Sequence, residues 1–193
     1  AAVCWIWPAS TFVKPLGYAV AIVGLIGVVC SAMIYAATQR EFWSIGRTMV
    51  KFALTSAVLG IAATWLSIVI FGNFFDSPGA QQLSQTTGRI LVQTLIAATV
   101  AKLVFEFSIF RHLLTRRHSP FKRSAQLLVG PLSNSMFARM AFGILGGIVM
   151  PLFLLNEVEA SDTKSLALMI PVGMLFVACL FGEVMERYQF FAA

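Results

Sequence analysis

The stretch SLALMIPVGMLFVACLFGEVMERYQFF, residues 165–191, contains the two features that decide the fold. The run from Leu166 to Phe181 is apolar enough to lie in lipid. Glu183, Glu186 and Arg187 follow before the helical pattern ends. At about 1.5 Å per residue, Glu183 lies about 25 Å along the helix, still inside a hydrocarbon core of about 30 Å. Because charges at that depth are costly, they predict a protein interior or a wet cavity with partner groups nearby.

The composition of the rest of the chain also indicates a membrane protein. Of 193 residues, 59% are hydrophobic and 11% are charged, whereas about a quarter are charged in an average soluble domain. The apolar runs are continuous and lack the alternation of barrel strands. We therefore expect an all-α integral membrane protein, with one transmembrane domain over residues 1–193. Its five spans are expected at about 16–37, 48–71, 90–110, 136–155 and 166–187, with polar loops at 72–88 and 156–164.

The basic residues predict the orientation of these spans. Of eleven Lys and Arg residues in loops or at span ends, eight fall within 38–51 and 111–123, and three fall on the opposite side. The positive-inside rule places the first set in the cytoplasm. The net charge of +6 follows from this topology, and nucleic-acid binding is not expected.

Seven ionisable residues lie within the spans, and by this topology all fall in the cytoplasmic half: Lys51, Lys102, Glu106, Arg139, Glu183, Glu186 and Arg187. Lys51 and Arg139 start their helices and could instead reach the headgroups. Lys102 lies about 18 Å from Ile90, which is too deep for that. We expect a Lys102–Glu106 pair to face a Glu183–Arg187 pair on the fifth span and to form a polar site beneath the cytoplasmic surface.

Such a site suits an amphiphile with a protonatable head and an apolar tail, such as a quinone or a lipid, or a proton path in a transporter. The chain has no HExxH, GxSxG or P-loop motif, and its three cysteines lack metal-binding spacing. Its two histidines, His112 and His118, lie in a basic loop, which argues against a haem held between helices. Catalytic and metal-ligating residues are therefore not expected in this chain.

Glycines in two spans predict close contacts between helices. Gly143 and Gly147 have the GxxxG spacing, which we interpret as contact within one bundle rather than dimerisation. Gly17, Gly24 and Gly27 in the first span would likewise let neighbouring helices approach.

Four segments together resemble the membrane-anchor subunit of the dimethyl sulfoxide reductase family, the DmsC-like group. They are CSAMIYAATQREFWS (30–44), KLVFEFSIFRHLLTRRHSPFKRSAQLL (102–128), FARMAFGILGGIVMP (137–151) and GEVMERYQFF (182–191). The resemblance covers essentially the whole chain. Anchors of this family typically have eight spans, so the chain resembles the C-terminal five. The long basic loop is most similar to anchors of the sulfite-oxidising, SoeC-like branch.

The resemblance implies a multi-pass subunit of the bacterial cytoplasmic (inner) membrane that exchanges electrons with ubiquinone or menaquinone. It implies no haem or iron–sulfur cluster in this chain. The implied partners are a four-cluster, ferredoxin-like iron–sulfur subunit and, through it, a molybdenum catalytic subunit. The chain would then be a non-catalytic or quinone-reactive subunit of an oxidoreductase complex.

On this hypothesis the quinone site and proton relay comprise Lys102, Glu106, Arg139, Glu183, Glu186 and Arg187. Glu106 and Glu183 are expected to carry the protons, because each has a cation four residues away on its own helix. The partner is expected to dock on Arg111, Arg116, Arg117, Lys122 and Arg123. Two alternatives remain open: a transporter or channel subunit with a Lys102–Glu106 proton relay, and a scaffold that anchors partners without contacting quinone.

Overall fold

The chain folds into a bundle of long helices. The structure, a computed structural model, describes residues 13–37, 45–74, 78–110, 126–127, 129–160 and 166–192, and no strand occurs in these ranges. The helices are α1 (Val13–Ala36), α2 (Ile45–Phe74), α3 (Pro78–Phe107), α4 (Ser133–Ile144), α5 (Met150–Ala160) and α6 (Leu166–Ala192). A π-helical segment, Leu145–Val149, joins α4 to α5.

Within the described ranges, five helical segments are long and apolar enough to cross a membrane: Lys14–Tyr35, Ile45–Phe74, Thr87–Phe110, Ser133–Leu155 and Leu168–Ala192. The predicted number of spans is therefore confirmed, and the length and composition of these helices indicate a multi-pass membrane protein. The fourth span consists of α4, the π-helical segment and part of α5.

The predicted loops at 72–88 and 156–164 are too long. α2 continues to Phe74, α3 already begins at Pro78, and α5 continues to Ala160. A proline at the first position of a helix loses no hydrogen bond and has a suitable φ angle. Pro78, which lies within the predicted 72–88 loop, therefore starts α3 instead.

Four spans surround a common apolar core, and α1 lies outside it. α2 packs against α3 and α6, α6 packs against α4, and α3 packs against α5. The core consists of Val58, Ala62, Trp65, Val69, Val92, Leu95, Leu154, Leu168, Val172, Leu175 and Cys179. Because lipid tails are as apolar as these side chains, close packing rather than exclusion from water stabilises the core.

α1 contacts the bundle near its C-terminal end. The Tyr35 ring lies edge-on to Phe52 and to Phe190, with centroid distances of 5.5 Å in both cases. A Cβ atom at Gly17, Gly24 or Gly27 would meet nothing within 4 Å. The prediction that these three glycines allow close helix contacts is thus wrong within the described part of the chain, because they precede the part of α1 that packs on α2.

The π-helical segment follows from the residues around it. Pro151 has no amide hydrogen and its ring disfavours a regular α-helical turn before it. The Met150 amide donates to the Leu145 carbonyl, five residues back. One extra residue is thereby accommodated in the turn.

The glycines of this region let the fourth span approach two neighbours. A Cβ at Gly146 would lie 2.8 Å from the Cys179 amide nitrogen, and a Cβ at Gly147 would lie 2.8 Å from the Thr99 Cβ. Both distances are too short for a real methyl group. The interpretation of the Gly143–Gly147 spacing as contact within one bundle is confirmed, since Gly147 packs on α3 and Gly143 on α6 near Gly182.

Candidate functional site

Six ionisable side chains of the described residues form one continuous cluster, here called the charged cluster. It lies at the end of the bundle where α2 and α4 begin and α3 and α6 end. Its contacts alternate in sign in the order Lys51, Glu186, Lys102, Glu183, Arg139, Glu106. Three cations therefore balance three carboxylates. Such balance offsets the desolvation penalty that each buried charge would carry alone.

Lys102 lies at the centre of the charged cluster and is only 1% exposed. Its ammonium contacts the Glu183 carboxylate and lies 2.6 Å from Glu186 Oε2. It also donates a hydrogen bond of 2.6 Å to Thr55 Oγ1. The contacts with Thr55 and Glu183 are hydrogen bonds, whereas the contact with Glu186 Oε2 is an ion pair without hydrogen-bond geometry.

Arg139 connects three helices and is 2% exposed. Its Nη2 lies 2.7 Å from Glu106 Oε1 on α3 and 3.8 Å from Glu183 Oε1 on α6. The sequence left open whether Arg139 is buried or reaches the headgroups. In the structure it is buried. The same contacts confirm that the charges of the spans share one half of the bundle.

The expected pairing of charges within single helices is wrong. Lys102 contacts Glu183 and Glu186 across the bundle, and Glu106 contacts Arg139. Arg187 lies with its guanidinium carbon 3.8 Å from the centroid of the Phe52 ring. Lys102 and Glu106 contact different helices because residues four positions apart differ in direction by about 40° around a helix. Lys102 can therefore face α6 while Glu106 faces α4.

A cavity opens beside the charged cluster, with an empty volume of ≈ 760 Å³ that includes its mouth. Its polar lining consists of Arg47, Thr48, Lys51, Glu106, Ser108, Glu186 and Gln189. Its apolar lining consists of Phe105, Ile109, Phe110, Met136, Met140 and Phe190. The cavity is thus amphiphilic, with aromatic and thioether walls next to charged groups.

The cavity divides the six predicted site residues into three groups. Glu106 and Glu186 line it. Lys102, Arg139 and Glu183 belong to the charged cluster but not to the cavity lining. Arg187 belongs to neither and stacks on Phe52.

The sequence analysis missed four polar residues of the lining, namely Arg47, Thr48, Ser108 and Gln189. Gln189 stands three residues after Glu186, and its Nε2 donates to Ser135 Oγ at 3.2 Å. The Thr48 hydroxyl is buried without a hydrogen-bond partner in the described part of the chain. Helical spacing could have identified Thr48, since Thr48, Lys51 and Thr55 share one face of α2.

The five residues predicted to dock a partner, Arg111, Arg116, Arg117, Lys122 and Arg123, lie outside the described residues. Docking on this loop therefore stays a prediction from the sequence.

Comparison of the chain with protein-family models, with curated proteins and with solved structures gives no match.

Proposed function

We propose that this chain is the membrane anchor and quinone-reactive subunit of a molybdenum and iron–sulfur oxidoreductase. It would pass electrons between the quinone pool and an iron–sulfur subunit. The observation that carries the proposal is the amphiphilic cavity, in which two carboxylates backed by buried cations face aromatic walls. The resemblance of four segments to anchors of the dimethyl sulfoxide reductase family supports the same function.

The cavity residues fit a quinone head group. Such a head group is a flat ring with a carbonyl oxygen on each of two opposite edges. Phe110 and Phe190 offer flat apolar surfaces, while Glu106 and Lys51 place polar groups on different helices of the lining. A bound quinone would supply two-electron, two-proton chemistry.

Glu106 and Glu186 are the groups proposed to accept and return protons in the cavity. Glu106 Oε1 accepts a contact from Arg139 at 2.7 Å, and its second oxygen takes no part in that contact. Glu186 lies between Lys51, at 3.6 Å, and Lys102, at 2.6 Å. A neighbouring cation stabilises the carboxylate, and a short path to the cavity lets it take a proton during reaction.

This assignment differs from the sequence hypothesis, which paired Glu106 with Glu183 as proton carriers. Glu183 contacts both Lys102 and Arg139 and is not part of the cavity lining. We therefore propose that Glu183 holds the two buried cations in place, while Glu186 takes the role of second proton carrier.

The Glu106→Gln variant tests the function, because glutamine nearly preserves the shape of the side chain but cannot carry a proton. In the complex purified in mild detergent with its soluble partners, quinone-coupled turnover should be lost. Activity with an artificial dye that reacts with the soluble subunits should persist, and the amount of assembled complex should be unchanged. Glu159→Gln, placed by the sequence on the opposite side of the membrane, is the matched control.

Three outcomes would contradict the proposal. Normal quinone turnover in Glu106→Gln would remove this residue from the site. Parallel loss of both activities and of assembled protein would indicate a purely structural ion pair. Purification of the wild-type chain without any iron–sulfur protein would overturn its role as an anchor.

A further inference from the structure

α3 and α4 diverge at the end of the bundle where the cavity opens. Farther along, α3 packs closely on the π-helical segment and α5, with Thr99 against Gly147. Toward the cavity, α3 and α4 themselves have few contacts, and the Glu106–Arg139 ion pair bridges them. Two helices that touch at one level and diverge beyond it enclose a wedge-shaped gap.

Apolar side chains one helical turn apart line both walls of this wedge. Phe105 near the end of α3 and Ile109, just beyond α3 in the third span, form one wall, and Met136 and Met140 of α4 form the other. All four are half-buried. α3 runs toward this end of the bundle and α4 runs away from it, and the Glu106–Arg139 contact joins them at residues next to Phe105 and Met140 in sequence. The wedge is therefore the apolar part of the cavity.

The chemistry of these walls fits a flexible chain better than a second polar group. The four side chains offer neither a charge nor a hydrogen-bond donor. Methionine is unbranched and adapts its shape to irregular partners, so Met136 and Met140 could follow a chain in more than one conformation. Glu106 and Arg139, which adjoin Phe105 and Met140 in sequence, mark the boundary of the wedge with the polar part of the cavity.

We propose that the wedge between α3 and α4 binds the apolar tail of the ligand and leads it from the cavity into the lipid. The occupant is a quinone with a long isoprenoid or alkyl tail, whose head lies beside Glu106 and Glu186. This inference rests on the proposed function, because it takes the head group to be bound in the cavity. Phe105, Ile109, Met136 and Met140 then determine the selectivity for tailed over tailless ligands.

The test compares two ligands that differ only in the tail. The full chain is placed in lipid nanodiscs, and binding of two fluorescent hydroxyquinoline N-oxides is measured, one with a long alkyl tail and one with a methyl group in its place. Met140→Trp fills the wedge with a larger, rigid side chain. It should weaken binding of the tailed ligand about tenfold or more and change binding of the methyl ligand less than about threefold.

Two further variants guard against a folding artefact. Ile109→Trp fills the wedge from the opposite wall and should reproduce the selective loss. Phe137→Trp lies on the same helix as Met140, but its side chain is 77% exposed and it is not part of the cavity lining, so binding of both ligands should stay unchanged.

The possible failures separate the two proposals. A wild-type chain that binds neither ligand would overturn the proposed function. If the wild-type chain binds the ligands but Met140→Trp and Ile109→Trp weaken the binding of both ligands equally, or of neither, the tail subsite is overturned. The proposed head-group site is not affected by that result.

Discussion

The ammonium nitrogen of Lys102 lies 2.6 Å from Glu186 Oε2, although the two residues stand on different spans and Lys102 is almost completely buried. Through this contact and its neighbours, the charged cluster connects α2, α3, α4 and α6. A buried ion pair adds little net stability over an apolar pair of similar size, but removal of one partner strands the other charge. The cluster should therefore tolerate poorly the loss of a charge at its centre, where Lys102 and Glu183 each contact two opposite charges.

Lys102→Met should lower the free energy of unfolding by about 3–5 kcal/mol, because Glu183 and Glu186 would face each other without the ammonium between them. Thermal unfolding of the chain in detergent measures this. Lys51→Met is the matched control and should have a smaller effect, since the Lys51 side chain is 22% exposed and water can replace part of its interaction. Equal losses in the two variants would contradict the central position of Lys102.

The charge argument also predicts a rescue. Adding Glu183→Gln to Lys102→Met removes one of the two stranded carboxylates, so the double variant should be more stable than Lys102→Met alone. If the effects of the two substitutions on the free energy of unfolding simply add, repulsion between the carboxylates is not the cause of the destabilisation in Lys102→Met.

Gly147→Ala should destabilise the bundle by about 1–3 kcal/mol, because the added methyl group would overlap the Thr99 side chain. Gly60→Ala is the control, since a Cβ there would meet nothing within 4 Å. Thermal unfolding in detergent compares the two variants. Adding Thr99→Ala should restore part of the stability of Gly147→Ala, and the absence of any restoration would show that this contact is not the cause.

Glu186→Gln and Glu183→Gln should have different effects. Glu186 lines the cavity, so its replacement should reduce quinone-coupled turnover more than the amount of folded protein. Glu183 contacts two buried cations, so its replacement should mainly reduce the yield and the unfolding temperature of the protein. Turnover per folded molecule and thermal unfolding are measured for both variants, and a reversal of the two patterns would exchange their proposed roles.

The orientation in the membrane can be tested with cysteines introduced at Ser84 and Ser119 in a background without native cysteines. The distribution of basic residues places Ser119 in the cytoplasm and Ser84 outside. An impermeant thiol reagent added to intact cells should label Ser84→Cys but not Ser119→Cys. The opposite labelling pattern would invert the topology.

The spans were predictable from the sequence because each depends on a local property, a long apolar run. Their ends were less predictable: Pro78 suits a turn and the first position of a helix equally well. The intramembrane position of Lys102 and Glu183 was also predictable, because it depends only on their distance from the start of an apolar run.

The partners of these charges were not predictable, because the rotation of each helix about its axis depends on contacts with other helices. Spacing along one helix paired Lys102 with Glu106, whereas packing directs Lys102 to α6 and Glu106 to Arg139. Thr48 and Gln189 escaped notice because a single polar residue near a span end is common. Only the assembled bundle places them in one cavity.

The π-helical segment also fixes the angular phase between the two halves of the fourth span. One extra residue in the turn offsets the faces before and after it by about 100°. Because of that offset, Arg139 can face Glu106 while Pro151 and Leu154 are buried inside the bundle. Deleting one residue within 145–149 would remove that offset and turn Arg139 away from Glu106 if the second half stayed in place. The length of this turn is thus under a stricter constraint than the identity of most of its side chains.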